Sequence, residues 1–225
     1  LTSGGGRHAP RPKIVNIENT SNLGGGCIWP IDTIEDVADT AHSMDMIAHM
    51  DGARLLNAVV KSGVKADQLT EGYDSCWTNF SKGLGAPAGA VLAGSSEFIR
   101  HAWRMKPQMG GALRQSGILA AMCLYALDHN VDRLADDYAL VAGISARLSK
   151  MDQVANVLPV ETNIVIFDLS DDAPDASEIE RLLKADGVII GAFGEHRIRV
   201  VTHLDVDAAG GDALCESLEK HLKGV

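Results

Sequence analysis

The chain is short of positive charge, of paired cysteines and of long apolar runs, and each shortage narrows what it can do. Lys and Arg number 20 against 30 Asp and Glu, a formal net charge of −10. That balance repels polyanions and argues against nucleic acid or an anionic membrane surface as a partner. No apolar stretch approaches the roughly 20 residues of a membrane span. Cys27, Cys76, Cys123 and Cys215 lie far apart, with no paired spacing for zinc. Four reduced thiols in a cytoplasmic protein are the simplest account. No internal repeat or low-complexity tract is evident. There is no signal peptide either, which says little in a chain that opens at Leu1 rather than methionine.

What is present is an alternation of strand and helix patterns. Strands are expected over 13–18, 46–50, 73–78 and 88–93, with helices over 32–43, 53–61 and 96–106. Strands interleaved with helices imply an α/β fold built on a mostly parallel sheet covered on both faces. Gly110-Gly111 then breaks the chain before two long amphipathic segments, 114–128 and 131–151. Beyond Pro159, strands over 162–168, 188–190 and 198–201 and helices over 175–185 and 208–223 describe a small α+β domain. The organisation expected is a linker or loop over 1–12, part of a large domain over 13–128, and a connecting helix with a small carboxyl-terminal domain over 129–225. The stretch Leu1 to Pro12 is rich in glycine and proline, hence the linker.

Lys82 stands in the run Trp77-Thr78-Asn79-Phe80-Ser81-Lys82-Gly83-Leu84-Gly85-Ala86-Pro87, between an apolar strand and a glycine-broken loop. An amine at a strand end can be partly desolvated, which disfavours its charged form and leaves a nucleophile able to condense with an aldehyde. The plain alternative is a solvated turn lysine. Upstream, Met46-Ile47-Ala48-His49-Met50-Asp51-Gly52-Ala53-Arg54 places Asp51 at a carboxyl strand end, the edge of a parallel sheet where ligands collect. Asp51 also reads as a helix N-cap, and both readings stand together. An acid and a lysine at successive strand ends suit pyridoxal phosphate: the carboxylate keeps the pyridine nitrogen protonated and the lysine holds the aldehyde carbon.

Arg199, in Ile198-Arg199-Val200-Val201, is a cation amid apolar residues and demands an anion. That anion is either an internal carboxylate or a substrate carboxylate, which a guanidinium binds through two parallel N–H groups. Arg114 is either a surface charge at a helix start or a ligand contact beside the glycine pair. His49 reads as a packed structural histidine.

Asp51-Gly52-Ala53-Arg54, Ser81-Lys82-Gly83-Leu84-Gly85-Ala86-Pro87, Gly110-Gly111-Ala112-Leu113-Arg114-Gln115 and Arg199-Val200-Val201-Thr202-His203-Leu204-Asp205 occur in an order and spacing that resemble the L-threonine aldolases. The resemblance runs from Lys13 onward. It implies a fold-type-I pyridoxal-phosphate enzyme that cleaves β-hydroxy amino acids to glycine and an aldehyde. Lys82 is then the covalent anchor, Asp51 the partner of the ring nitrogen, and Arg199 the holder of the substrate carboxylate, with Arg54, which otherwise reads as an exposed helix residue, a second arginine near the cofactor and that carboxylate. Arg114 binds the cofactor phosphate across a subunit interface, in a homodimer or homotetramer with shared active sites.

The resemblance also implies a leading segment, with a glycine and threonine phosphate cup and a ring-stacking histidine, that has no counterpart here. The chain is therefore expected to be the carboxyl-terminal part of a larger enzyme, completed by a preceding segment or a separate chain. In the stretch Glu18-Asn19-Thr20-Ser21-Asn22, Ser21 stands where the family often has histidine. Serine hydrogen-bonds a substrate hydroxyl but is a poor base at neutral pH. The proton acceptor is then a histidine outside this chain, a water or the cofactor phosphate. Pro107 replaces a lysine the family often carries, with Lys106 one residue away as substitute. Glu18 and Asn22 read as loop caps, Gly24-Gly25-Gly26 as a flexible turn, and His203 as a residue that could orient Arg199. Two alternatives remain: β-elimination on the same scaffold, and a non-catalytic truncated subunit.

Overall fold

A computed structural model describes His8 and residues 10–222. The expected linker therefore falls largely outside the described residues. The first half forms a four-stranded sheet in the order β1 (Ile14–Glu18), β2 (Ile47–Gly52), β3 (Ser75–Asn79), β4 (Ala90–Gly94). The first three strands are parallel, and α1 (Ile31–Ser43) and α2 (Leu55–Ser62) with the short α3 (Ala66–Leu69) make the crossovers. Helix α1 buries Ile34, Ala38 and Ala41, one face at helical spacing, and Ile34 packs with Ile17, Met50 and Leu55.

β4 departs from the parallel pattern by running antiparallel to β3. The connection between them carries Lys82 and no helix, and a parallel return needs a crossover of a dozen or more residues. The sheet is also not covered everywhere. Every residue of β4 is exposed, and α4 (Ser96–Gln108), capped by Ser95 Oγ accepting the Phe98 N–H at 3.2 Å, buries nothing. Helix α5 (Gly117–Asn130) is apolar on all sides yet buries only Ala126.

Helix α6 (Leu134–Leu148) leads into a second, antiparallel sheet in the order β5 (Val154–Val157), β6 (Ile164–Leu169), β8 (Arg197–Val201), β7 (Gly191–Ala192). Helices α7 (Ala176–Ala185) and α8 (Ala208–Leu222) cover it, and Phe167, Ile179, Leu183, Ile198 and Leu218 form its core. The strand expected over 188–190 lies instead at 191–192. Val188 serves the end of α7: Gly187, at φ 88°, donates to Lys184 O, and the Val188 N–H reaches Leu183 O at 2.9 Å. That pair of bonds is a left-handed helix cap, so Val188 cannot also enter a ladder.

Candidate active site

Lys82 follows β3 in a loop shaped by its own neighbours. Asn79 Oδ1 accepts the Ser81 N–H at 3.0 Å, and Gly85 N–H closes a turn onto Lys82 O at 2.9 Å. Gly85 has φ +71°, and a Cβ there would strike Leu204 Cδ2 at 2.8 Å, so the glycine permits both the turn and the close approach of the second domain. The loop opens into a cleft of about 340 Å³ walled by Arg54, Lys82, Asn163, His203 and Asp205 among others. Lys82 reaches solvent there. Partial burial, then the Arg54 charge, lower its pKa, against the opposing pull of Asp51 and Glu18.

Asp51 is the penultimate residue of β2, paired with Trp77 on β3, and is not part of the cleft wall. It does not cap α2, which begins at Leu55 after Arg54; its Oδ1 instead accepts the Ala53 N–H at 3.0 Å, within the bend that precedes the helix. Gly52 permits the close approach of β3, since a Cβ there would strike Trp77 O. Arg54, the next polar residue, is only 8% exposed, which removes its reading as a surface helix residue. Its Nε is buried without a hydrogen-bond partner. Burial and the Arg199 charge lower its pKa, while Glu18 and Asp51 raise it.

Arg199 comes from the other sheet. On β8 it pairs in register with Ile166 and Gly191, and its guanidinium lies 5.3 Å from the Phe193 ring centroid. Its Nε is also buried and unpartnered. No carboxylate of the described residues forms an ion pair with it, so the internal salt bridge considered for it is absent among them. Burial lowers its pKa and the Glu18 charge opposes that. Arg199 is not part of the cleft wall, yet its charge acts on Arg54 and Lys82.

The remaining candidates fall elsewhere. Arg114 is exposed ahead of α5, beside Trp103 and Lys106 in a separate hollow, and Lys106 Nζ lies 5.5 Å from the Trp103 ring centroid. Ser21 is absent from the cleft wall; its Oγ accepts the Gly24 N–H at 3.3 Å and its backbone bridges to Cys27. The glycine run beside it is pinned rather than flexible: Gly26, at φ +77°, donates to Ser21 O at 2.8 Å, and its carbonyl accepts the Thr162 hydroxyl at 2.7 Å. His49 is half-buried, its Nδ1 2.7 Å from Ser75 Oγ. His203 lines the cleft, but its Nδ1 accepts the Asp205 N–H at 3.3 Å, which fixes its own loop rather than Arg199.

The sequence reading missed Glu18. It does cap its loop, with Oε2 accepting the Asn22 N–H at 2.8 Å. Its charge also acts on Lys82, Arg54 and Arg199 together. The available signal was its position at the end of the first strand, level with Asp51 at the end of the second. Asn163 was missed too. It lines the cleft and donates to Thr202 O at 2.9 Å, so it joins the ends of β6 and β8.

The chain is similar to known proteins in sequence and in fold. The family described as beta-eliminating lyase matches residues 1–172. The chain is 37% identical over 199 residues to the low specificity L-threonine aldolase of Escherichia coli O157:H7, covering 88% of this chain and 57% of that protein. It is 33% identical over 222 residues to the low-specificity L-threonine aldolase of Candida albicans, covering 96% and 57%. Among solved structures, the threonine aldolase of Leishmania major superposes with a TM-score of 0.72 at 16% identity, covering 96% of this chain and 63% of that one. The histidinol-phosphate aminotransferase of Clostridium acetobutylicum does so with a TM-score of 0.73 at 14% identity, covering 95% and 65%. These likenesses bear out the expected α/β fold of the fold-type-I class. The chain spans 57% of the length of the two curated relatives.

Proposed function

This chain belongs to the beta-eliminating lyase family, and on that premise we propose that it forms part of a pyridoxal-phosphate-dependent carbon–carbon lyase. The substrate is a β-hydroxy-α-amino acid, threonine, allo-threonine or a relative, and the products are glycine and an aldehyde. Its threonine aldolase relatives support the reaction class. The observation that carries the reading here is the pair Arg54 and Arg199. Two guanidiniums, one at the start of α2 on the cleft wall and one on β8, each with a buried unpartnered Nε, call for an anion.

The residues present fit the cofactor at its two reactive ends: an amine of lowered pKa for the aldehyde and, on the neighbouring strand, a carboxylate for the ring nitrogen. When bound, pyridoxal phosphate supplies an electron sink for the bonding pair between Cα and Cβ. Asp51 holds the ring nitrogen protonated through a carboxylate fixed by the Ala53 N–H. Lys82 serves as the covalent anchor, and its depressed pKa leaves more free amine at neutral pH. Arg199 and Arg54 would grip the α-carboxylate and so select which Cα bond breaks; Arg54 would help hold the cofactor as well. Ser21 offers the substrate hydroxyl a hydrogen bond, and the proton acceptor lies elsewhere.

Arg114 takes the cofactor phosphate in the site of a second copy of the chain, in a homodimer or homotetramer. Its exposure and the uncovered apolar helix that follows it support such an assembly. The four free thiols suit the cytoplasm. The test is a product assay on the complete, cofactor-loaded protein with threonine, allo-threonine and phenylserine. Glycine with an aldehyde supports the proposal. Pyruvate with ammonia indicates elimination instead, and absence of both products together with absence of cofactor binding indicates a non-catalytic subunit.

A further inference from the structure

The main chain that follows Lys82 is held from outside its own loop. Three carbonyls in a row each accept a hydrogen bond: Lys82 O from the Gly85 N–H at 2.9 Å, Gly83 O from Arg133 Nη1 at 3.5 Å, and Leu84 O from Asn130 Nδ2 at 2.7 Å. The first closes the turn within the loop. The other two come from one place, the junction where α5 ends at Asn130 and α6 begins after Arg133. That junction also touches the loop sterically. A Cβ on Gly83 would strike Leu134 Cδ2 at 2.8 Å, and Leu134 packs with Phe80, Leu84 and Ala86 in one buried cluster.

Arg133 is itself anchored. Its Nη2 donates to Asp137 Oδ1 at 2.6 Å, and the Asp137 side chain is only 1% exposed. A buried pair of this kind contributes little net stability over apolar residues of the same volume. What it provides here is direction, because a guanidinium tied to a buried carboxylate one turn along the helix is kept from swinging away from Gly83. The Asp137 backbone carbonyl also accepts the Thr202 hydroxyl at 2.9 Å, so the first turn of α6 holds the end of β8 as well as the lysine loop. Neither Asn130 nor Arg133 lines the cleft, and their influence on the amine runs through the loop backbone.

We propose that Asn130 and Arg133 are positioning residues for Lys82: by fixing the Leu84 and Gly83 carbonyls they aim the lysine amine into the cleft, ready for an aldehyde. This rests on the reading of Lys82 as the covalent anchor. It adds a claim that the reading does not need, since a loosely held lysine would form the same bond, only more slowly. The step concerned is condensation of the amine with the aldehyde, in which a carbon–nitrogen double bond forms and water leaves.

The experiment strips the cofactor from the complete protein, adds pyridoxal phosphate and times the appearance of the visible band of the lysine-linked form, with no amino acid present. Asn130→Leu keeps the side-chain volume and removes the donor to Leu84 O; its band should form ~10–100-fold more slowly than the parent's. Arg133→Met alone would leave Asp137 buried without its partner, so it is combined with Asp137→Leu, and the double variant should be slowed to a similar degree. Tyr138→Phe is the control. It removes a buried hydrogen bond to Asn57 O, 3.0 Å long, from the same cluster but touches neither carbonyl, so its band should form at the parent rate. Parent-rate formation in either test variant overturns the role given to its residue. Equal slowing in Tyr138→Phe overturns both roles, because it would mark a general loosening of the cluster. Borohydride reduction of the loaded parent followed by peptide mapping tests the underlying reading separately: cofactor fixed to a lysine other than Lys82 sinks that reading and this proposal together.

Discussion

Asp51 Oδ1 accepts the backbone N–H of Ala53 at 3.0 Å, so one carboxylate both shapes the bend after β2 and presents its charge at the sheet edge. The two tasks separate in Asp51→Asn, whose amide oxygen keeps the bond to Ala53 while the charge is lost. The fold should survive, with a melting temperature near that of the parent, while glycine production falls by ~10²–10³-fold, the scale of losing one preorganised charge contact. A large drop in melting temperature would mean that Asp51 matters for the bend alone.

Removing the amine in Lys82→Ala should leave the complete protein folded but without the visible absorbance of a lysine-linked cofactor and without turnover. Retained turnover would sink the assignment of Lys82 as covalent anchor.

Arg199→Lys keeps the charge but loses the planar pair of N–H donors. KM for the amino acid should rise by ~10–100-fold with a smaller change in kcat, since the interaction is made with the bound substrate and persists through the reaction. Equal KM values in the two proteins would place the carboxylate elsewhere.

Thr202 is fully buried, and its hydroxyl donates to Asp137 O at 2.9 Å, tying the end of β8 to α6. Thr202→Val fills the same space and removes that bond, while the Asp137 carbonyl keeps its helical partner, so urea unfolding should show a loss of about 0.5–1.5 kcal/mol. A value near zero would mean that water replaces the hydroxyl.

Asp186 gathers Lys220, Ser217 and His221 at the end of α7, and these contacts lower its pKa well below the ordinary carboxylate range. A depressed folded-state pKa stabilises above the unfolded value, about 3.9, and that contribution drains away as pH falls through the lower folded value. Asp186→Asn should therefore flatten the acid side of the stability curve below about pH 4 and lower stability at neutral pH. A curve parallel to the parent's would show the cluster to be inert.

Much of this architecture could be read from residue patterns, because apolar runs that end in polar residues mark buried strands. β1, β2 and β3 lie where the runs before Glu18, Asp51 and Phe80 place them, within one or two residues. What escaped was set by tertiary contacts. Arg54 looks like a helix surface residue until the second domain closes over it, and Val188 looks like a strand residue until Gly187 turns it back onto Leu183. Glu18 acts across a strand ladder and a domain boundary, and neither leaves a mark in local spacing. Arg114 and Lys82 are linked by motif order alone, and within one copy of the chain they line separate hollows.

The cleft lies between the loop that follows β3 and the end of β8. Lys82 and Arg54 are attached to the first sheet, and Arg199 to the second, whose strands pack around Phe167 and Ile198. An anion gripped by both Arg54 and Arg199 would span that seam, and its binding free energy would be added to the work of prying the two halves apart as well as to the work of melting either one. A contact that oriented a small molecule there would thus act as a reversible crosslink, and occupancy should make the two halves unfold more nearly as one.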